Sequence, residues 1–462
     1  MTASRVVVIG AGITGLSLAF TLQEAARRRG AALSLTLLEG GSQAGGHVQT
    51  RTEDGFVIEA GPNGFLNREP HTLELIDALG LRPRLIEARK EAARRFILRD
   101  GALCRVPEGP GSLLSSPALS WRGKLRLALE PFAPSAPVGV DETVYDFSRR
   151  RIGAEAAEML VDAAVSGISA GDSRKLSVRA QFPIMAEMER EHGSLVRALF
   201  ARRSRGQGPA RLMSFDGGLG TLTAKLAERL GGIVQTGRAV RSVDPAGPAW
   251  RVALNDGGTI GADHVAFALP ARAAATLVQG IDPALTEAMR EIPYSGIGVV
   301  ALGYRVADIP TPLNGYGYLV TRPEALATLG VLWESSIFEG RASAGTALLR
   351  VFLGGSRLPE VVEWSESRLQ EIATKELFQV MGIRATPLHV STYRWPGAIA
   401  QYTVGHEARR NAIRARLSMF PGLSVCGTSY DGVSFNHAVR SGRLLAADLA
   451  ERLWDERMEI SA

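Results

Sequence analysis

Six residues near the start of the chain have types and spacing that bring a backbone against a phosphate: Gly10, Ala11, Gly12, Ile13, Thr14 and Gly15, a GxGxxG turn. The chemistry that follows is dinucleotide binding. Gly10 permits a tight turn, Gly12 lets backbone amides approach a pyrophosphate, and Gly15 lets the next helix pack close to the strand. The helix N-terminus adds an oriented partial positive charge. Glu39 stands where a carboxylate accepts hydrogen bonds from a ribose diol. An acid there disfavours a 2′-phosphate, so NADP is not expected. Other chemistries find little support. The seven histidines form no HxxxH or HxH pair, and two cysteines, Cys104 and Cys426, make neither a disulfide framework nor a thiolate metal site. No metal is expected, and the cysteines read as buried apolar residues in a reducing cytoplasm. No Ser/His/Asp or paired-carboxylate constellation is found.

The surrounding elements place this turn. Val6 to Ile9 is a β-branched run, Leu16, Leu18, Ala19 and Leu22 follow at helical spacing, and Leu33 to Leu38 reads as a second strand closed by Glu39. Together they make a βαβ unit. The Gly45-Gly46 doublet and a strand from Phe56 running into the Gly61-Pro62-Asn63-Gly64 turn depart from the regular βα units of an NAD domain. The doublet resembles that of the two-dinucleotide-binding-domain flavoproteins, and the resemblance implies FAD, extended across the first βαβ unit. The uncharged run 6–23 imitates a signal peptide or membrane span, but three glycines interrupt it, only Arg5 precedes it and no cleavage site closes it.

At 462 residues, 45% of them hydrophobic, the chain is too long for one core and too apolar for disorder, and 51 glycines imply many turns and close backbone approaches. A helix is expected over 72–80, a hairpin over 93–105 turning at Asp100-Gly101, and a helical region from Trp121 to about Phe200. Phe215 to Leu219 opens a helix through Leu230. Strands are expected over 233–243, 250–254 and 265–270, a second sheet over 293–304 and 347–353, a last strand over 423–427 and a last helix over 441–454. Signals of the nucleotide fold thus occur at both ends. The expected class is α/β with α+β insertions: a two-dinucleotide-binding-domain FAD fold built from discontinuous segments, with a mixed-sheet substrate domain and a mainly helical domain. The boundaries are 1–90, 212–290 and 405–462 for FAD, 91–110 and 291–404 for substrate, and 111–211 for the helical part.

The net charge is +6, with 53 basic residues against 47 acidic ones. Arginine dominates the basic set, from codon bias or from an affinity for anions such as carboxylates. No basic stripe with interleaved aromatics appears, so nucleic acid is not an expected partner. Segment 111–211 is itself basic, which fits either an anionic membrane surface or a solvated helical domain.

The chain resembles the flavin-dependent protoporphyrinogen oxidases within the amine oxidase-like flavoproteins, nearly end to end. Gly10 to Gly15, Glu39, Gly45-Gly46, FDGGL at 215–219 and GTSYDGV at 427–433 carry the superfamily likeness. GPNGFLNREP at 61–70, SGISAGDSRKLS at 166–177, MEREHGSL at 188–195 and QYTVGH at 401–406 carry the narrower one. The resemblance implies FAD contacts at Gly10 to Gly15, Glu39, Gly61, Pro62, Asn63, Gly64, Val240, Thr428, Val433, Ser434 and Phe435. It implies that Arg95 holds a substrate propionate, that the Gly167 carbonyl faces pyrrole N–H groups, and that Leu319, Leu332 and Phe352 sandwich the macrocycle. Three departures stand out: Ala11 replaces a frequent third glycine, SFNHAV at 434–439 replaces an acid-cysteine wording, and Leu66 falls where some members carry a second arginine.

The reaction so implied is oxidation of protoporphyrinogen IX to protoporphyrin IX in haem biosynthesis, a six-electron change over three flavin cycles with O2 as acceptor and H2O2 as product. No side chain need act as a catalytic acid or base, because the cofactor carries the electronic chemistry. The rivals are coproporphyrinogen III oxidation, a flavin amine oxidase and a non-catalytic porphyrin carrier. The expected location is the cytoplasm, with the inner face of the cell membrane as the surface for any peripheral contact, and a homodimer is left open.

Overall fold

The computed structural model describes residues 3–137, 139–204 and 210–455; positions 1–2, 138, 205–209 and 456–462 of the expected domains lie outside the described residues. Val6 to Ile9 form the last four residues of strand β1 (Ser4–Ile9), and their alternation separates two cores. Val6 and Val8 enter one apolar cluster with helix α1 (Ile13–Arg29), while Val7 and Ile9 enter another on the opposite face. A strand covered on both faces has no room for polar side chains, which explains the unbroken apolar run. β1 pairs in parallel with β2 (Leu33–Leu38) on one side and with His264–Phe267 on the other. Val234–Gln235 and Leu423–Val425 complete a five-stranded parallel sheet.

The region from Pro110 to Ser204 is helical and includes α2 (Ala163–Ser169). A second, seven-stranded sheet runs in the order His389–Ala400, Tyr294–Arg305, β5 (Thr346–Gly354), β4 (Thr328–Trp333), β3 (Gly317–Val320), Phe96–Arg99 and Ala102–Arg105. Only the pairing of β3 with Phe96–Arg99 is parallel. The C-terminal helix α3 (Phe435–Ala450) returns to pack on α1, where a Cβ at Gly442 would lie 2.3 Å from the Thr14 carbonyl oxygen. Among the described residues no helix is long and apolar enough to cross a membrane, and no cluster of metal-ligating side chains is present. Cys104 and Cys426 are free and buried.

Three boundaries differ from expectation. The run 233–243 is two strands, Val234–Gln235 and Val240–Ala246, which enter different sheets across a turn at Gly237, whose φ is +69°. The helix after FDGGL begins at Gly220, because the Leu219 N–H is held by buried Glu59 at 2.8 Å. The last helix starts at Phe435, not 441: Ser434 caps it, its side chain accepting from the His437 N–H. SFNHAV is thus a helix start, with Ser434 in a strongly favoured N-cap position.

MEREHGSL supplies a buried charge network. Arg151 and Glu130 are fully buried and paired; Glu130 also accepts from the Ser194 hydroxyl at 2.6 Å and the Leu195 N–H at 2.9 Å. Glu189 receives both Arg150 and Arg151. Burial pushes the Glu130 carboxyl up, but Ser194, Leu195 and Arg151 outweigh it and hold it below the usual range. A depressed carboxylate stabilises the fold above its unfolded value of about 4.3, and that contribution is lost on further acidification. Arg151→Ala leaves Glu130 buried without its cation and is expected to cost about 3–5 kcal/mol in urea unfolding at pH 7. Arg27→Ala, which removes an exposed pair with Glu24, should cost no more than about 0.5 kcal/mol by the same measurement.

Candidate cofactor and substrate site

The glycines of the first turn answer different constraints. A Cβ at Gly10 would meet the Ala268 carbonyl oxygen at 2.7 Å, and one at Gly15 would lie 2.0 Å from the Gly10 oxygen. Both are required by the protein's own packing. At Gly12 the nearest atom is the Cα of Gly46, 4.0 Å away. Nothing in the chain itself therefore demands glycine at position 12. Gly12 is the N-cap of α1, which has no side-chain cap and no acid in its first turn. An open cradle at an uncapped helix N-terminus suits a pyrophosphate. Ala11, Ile13 and Thr14 are buried around it.

The Glu39 carboxylate accepts from the Ala11 N–H at 2.9 Å and the Gly41 N–H at 2.8 Å. A carboxylate offers about four acceptor sites, so the diol of a ribose can be served as well. Val240 heads a strand beside this acid, since Arg238 N–H donates to the Glu39 carbonyl at 2.8 Å. At the other end of the chain the Tyr402 hydroxyl donates to the Thr428 carbonyl at 2.8 Å and accepts from the Gly432 N–H at 2.7 Å. That clamp shapes the loop leading to Val433 and Ser434. The Phe435 side chain stacks on Phe65 in the core, with ring centroids 5.6 Å apart, so only its backbone at the start of α3 is left for a ligand.

The Gly61 to Gly64 turn follows a separate two-stranded hairpin, Thr50–Glu53 with Phe56–Glu59. A Cβ at Gly61 would lie 2.0 Å from the His47 carbonyl oxygen, which brings the turn against the segment after the Gly45-Gly46 doublet. The Ala60 carbonyl accepts from Trp395 Nε1 at 2.7 Å, and the Gly61 carbonyl accepts from Arg350. His47 packs edge-on against Trp395, and burial and then nearby Arg272 hold its pKa below the usual value.

Three strands of the second sheet present one face. Leu319 of β3 opposes Gly330 of β4, which opposes Phe352 of β5; two residues along, Gly317, Leu332 and Arg350 form the next row. Period-two alternation puts both rows on the same side. Gly167 of α2 rests on this face, for a Cβ there would be 2.4 Å from Leu319 Cδ2. Asp162 anchors the start of α2. Burial raises its pKa, but Arg322, Ser173 and Arg357 reverse the shift and hold it low. Arg95 is exposed just before Phe96, its guanidinium carbon 5.4 Å from the centre of the Tyr316 ring. The structure thus brings Gly167, Leu319, Leu332 and Phe352 together and sets Arg95 beside them. Leu66 is exposed.

Sequence reasoning missed Arg350, Glu334 and Tyr316. Arg350 is fully buried, bonded to Glu334 at 2.6 Å, and its guanidinium carbon is 4.9 Å from the Phe352 ring centre. An arginine inside the apolar strand ALLRVFLG was the signal, since a buried charge requires a partner.

The fold and the site define an FAD-dependent oxidoreductase. The flavin containing amine oxidoreductase family matches residues 13–450, and the chain belongs to that family. It is 33% identical to protoporphyrinogen oxidase of Bos taurus, covering 96% of this chain and 97% of that one. It is 30% identical to coproporphyrinogen III oxidase of Bacillus subtilis, again over 96% and 97%. A solved structure from Exiguobacterium sp. 255-15, provisionally named a protoporphyrinogen oxidase, superposes with a TM-score of 0.86 at 26% identity, over 98% of this chain and all of that one. Cyclohexylamine oxidase from Brevibacterium oxydans shares the fold, with a TM-score of 0.71 at 17% identity over 98% of this chain and all of that one. The chain is thus a flavin oxidoreductase of the protoporphyrinogen/coproporphyrinogen oxidase type, and its cofactor is FAD.

Because position 12 has space in the protein alone, Gly12→Val is expected to fold with an unchanged apoprotein melting temperature yet weaken FAD binding more than about tenfold, read as lost flavin absorbance after purification. Gly15→Val, which drives a side chain into the Gly10 carbonyl, should instead lose the fold, read as loss of soluble protein.

Proposed function

We propose that the protein oxidises a porphyrinogen to a porphyrin, with protoporphyrinogen IX as substrate and O2 as the final acceptor. The supporting observation is the apolar face made by Leu319, Leu332 and Phe352, closed by Gly167, bordered by the Gly61 to Gly64 turn and flanked by exposed Arg95. Such a face holds a greasy ring by dispersion and excludes water. The Arg95 guanidinium pairs with a propionate and fixes the ring's orientation. The Gly167 carbonyl receives a pyrrole N–H. No side chain moves a proton, and those released go to water. Bound FAD supplies a two-electron acceptor that is regenerated by O2. Porphyrinogen loses six electrons and six protons, which three molecules of O2 take up as three H2O2. The residues implied above for FAD are assigned to it here, and the three-part domain division is proposed with them.

Coproporphyrinogen III is the alternative, favoured by the likeness to the Bacillus subtilis protein. It carries four carboxylates. Arg95 with Leu66 in place of a second arginine favours the substrate with two. Anaerobically prepared protoporphyrinogen IX and coproporphyrinogen III, each offered with O2, separate these readings. The expected outcome is porphyrin fluorescence from protoporphyrinogen IX with about three H2O2 per porphyrin. Fluorescence from the coproporphyrinogen alone selects the alternative; none from either leaves a carrier.

We further propose that the helical region rests on an anionic membrane. Trp121, Leu125, Leu129 and Phe132 are all exposed within twelve residues that also carry Arg122, Lys124 and Arg126. The protein should co-sediment with vesicles containing phosphatidylglycerol and release at high salt, and Trp121→Asp/Phe132→Asp should abolish the association.

A further inference from the structure

The residue assigned to the substrate carboxylate stands at an exposed position just ahead of its strand, and a mobile guanidinium makes a poor anchor. Among the described residues Arg95 forms no ion pair, so no carboxylate of the chain fixes its direction. What lies under it is the Tyr316 ring, at 5.4 Å.

Tyr316 is held tightly. Its N–H donates to the Arg94 carbonyl at 2.8 Å and its carbonyl accepts from the Trp333 N–H at 3.0 Å, so its backbone is pinned between the arginine hairpin and β4. Its side chain packs in a cluster with Ile337, Phe338 and Leu332. Burial, and then Glu334, raise the hydroxyl's pKa, so it stays protonated and neutral. One fixed side chain therefore reaches both the exposed arginine and a residue of the apolar face.

We infer that Tyr316 is a positioning residue: its ring aims the Arg95 guanidinium at the substrate carboxylate. The inference rests on the proposed function. A planar guanidinium over an aromatic face keeps its N–H edges free for a carboxylate, which a salt bridge to the protein would not.

Substitution isolates the ring. Tyr316→Phe keeps the ring and removes the hydroxyl; Tyr316→Leu removes both, with Tyr316→Met as its replacement should the leucine variant not fold. Each is compared with Arg95→Ala and with the Arg95→Ala/Tyr316→Leu double variant. KM and kcat are measured on FAD-loaded enzyme with the porphyrinogen that it turns over. Arg95→Ala is expected to raise KM about tenfold and Tyr316→Leu about three- to tenfold, with kcat falling far less. Tyr316→Phe should leave KM within about twofold of the parent, and the double variant should be no worse than Arg95→Ala, since both changes remove one interaction.

Additive effects in the double variant, or a phenylalanine variant with the KM of the leucine one, overturn the ring function. An unchanged KM in Arg95→Ala removes the ring function together with the role assigned to Arg95. Failure to turn over either porphyrinogen sinks the proposed function, and with it the ring function.

Discussion

The arrangement of the site depends on one buried cation. Arg350 sits on the apolar face of the seven-stranded sheet and donates to the Gly61 carbonyl, in the turn that follows the two-stranded hairpin ending at Glu59. Glu334 neutralises it from the end of β4, and both side chains are shut away from water. Removing two charges from water is expensive, so such a pair persists where its geometry is needed rather than where stability alone is sought. Here the geometry is the placement of the Gly61 to Gly64 turn against the seven-stranded sheet, on which the preceding hairpin packs through Phe56 and Ile58. Trp395 makes a second, neutral tie to the same turn through the Ala60 carbonyl. The two ties fix where the cofactor side ends and the apolar face begins.

The motifs that carried the family resemblance turn out to touch one another. The Gln401 amide donates to the Ser169 carbonyl, at the end of α2, and to the Ser295 hydroxyl. The Ser177 N–H donates to the Tyr402 carbonyl at 2.7 Å, and Val404 N–H to the Lys175 carbonyl at 3.1 Å. QYTVGH and SGISAGDSRKLS thus form one strap. Its Tyr402 then clamps the loop from Thr428 to Gly432. The strap links the helix bearing Gly167 with the C-terminal loop assigned to FAD, so a shift in either reaches the other through hydrogen bonds shorter than about 3.2 Å, which leave little slack.

The part of this that was legible in the sequence is the part set by local constraint. A β-branched run, a glycine turn and an acid after the second strand define the first βαβ unit because each answers a steric or charge requirement within a few residues. The hairpin at Asp100-Gly101 is legible for the same reason: both residues take positive φ there. What was not legible is set at long range. The partners of Arg350 lie 16 and 289 residues away, and no periodicity announces them. Tyr316 reads as one more apolar residue until Arg95 is brought beside it. The start of α3 was missed because SFNHAV was weighed as a site and not as a Ser-capped helix, although the cap signal was present. The split of 233–243 was missed because Gly237 was absorbed into a strand pattern.

The relief of the apolar face carries a last consequence for what can lie on it. Each row holds one glycine: Gly330 between Leu319 and Phe352, and Gly317 beside Leu332. A Cβ at Gly330 would stand 3.0 Å from Leu319 Cδ2, and one at Gly317 would be 1.9 Å from the Val331 carbonyl oxygen. Both positions are closed to larger residues by the sheet itself. Gly167 meets Leu319 from above, where a Cβ would press on the end of the Leu319 side chain and not on the sheet backbone. The three glycines let leucine and phenylalanine side chains lie along the sheet instead of standing off it, which favours a broad, thin ligand over a compact one. A small amine on such a face would leave much of it wetted, whereas the tetrapyrrole of the proposed function would cover more of it and would meet Arg95 at its edge.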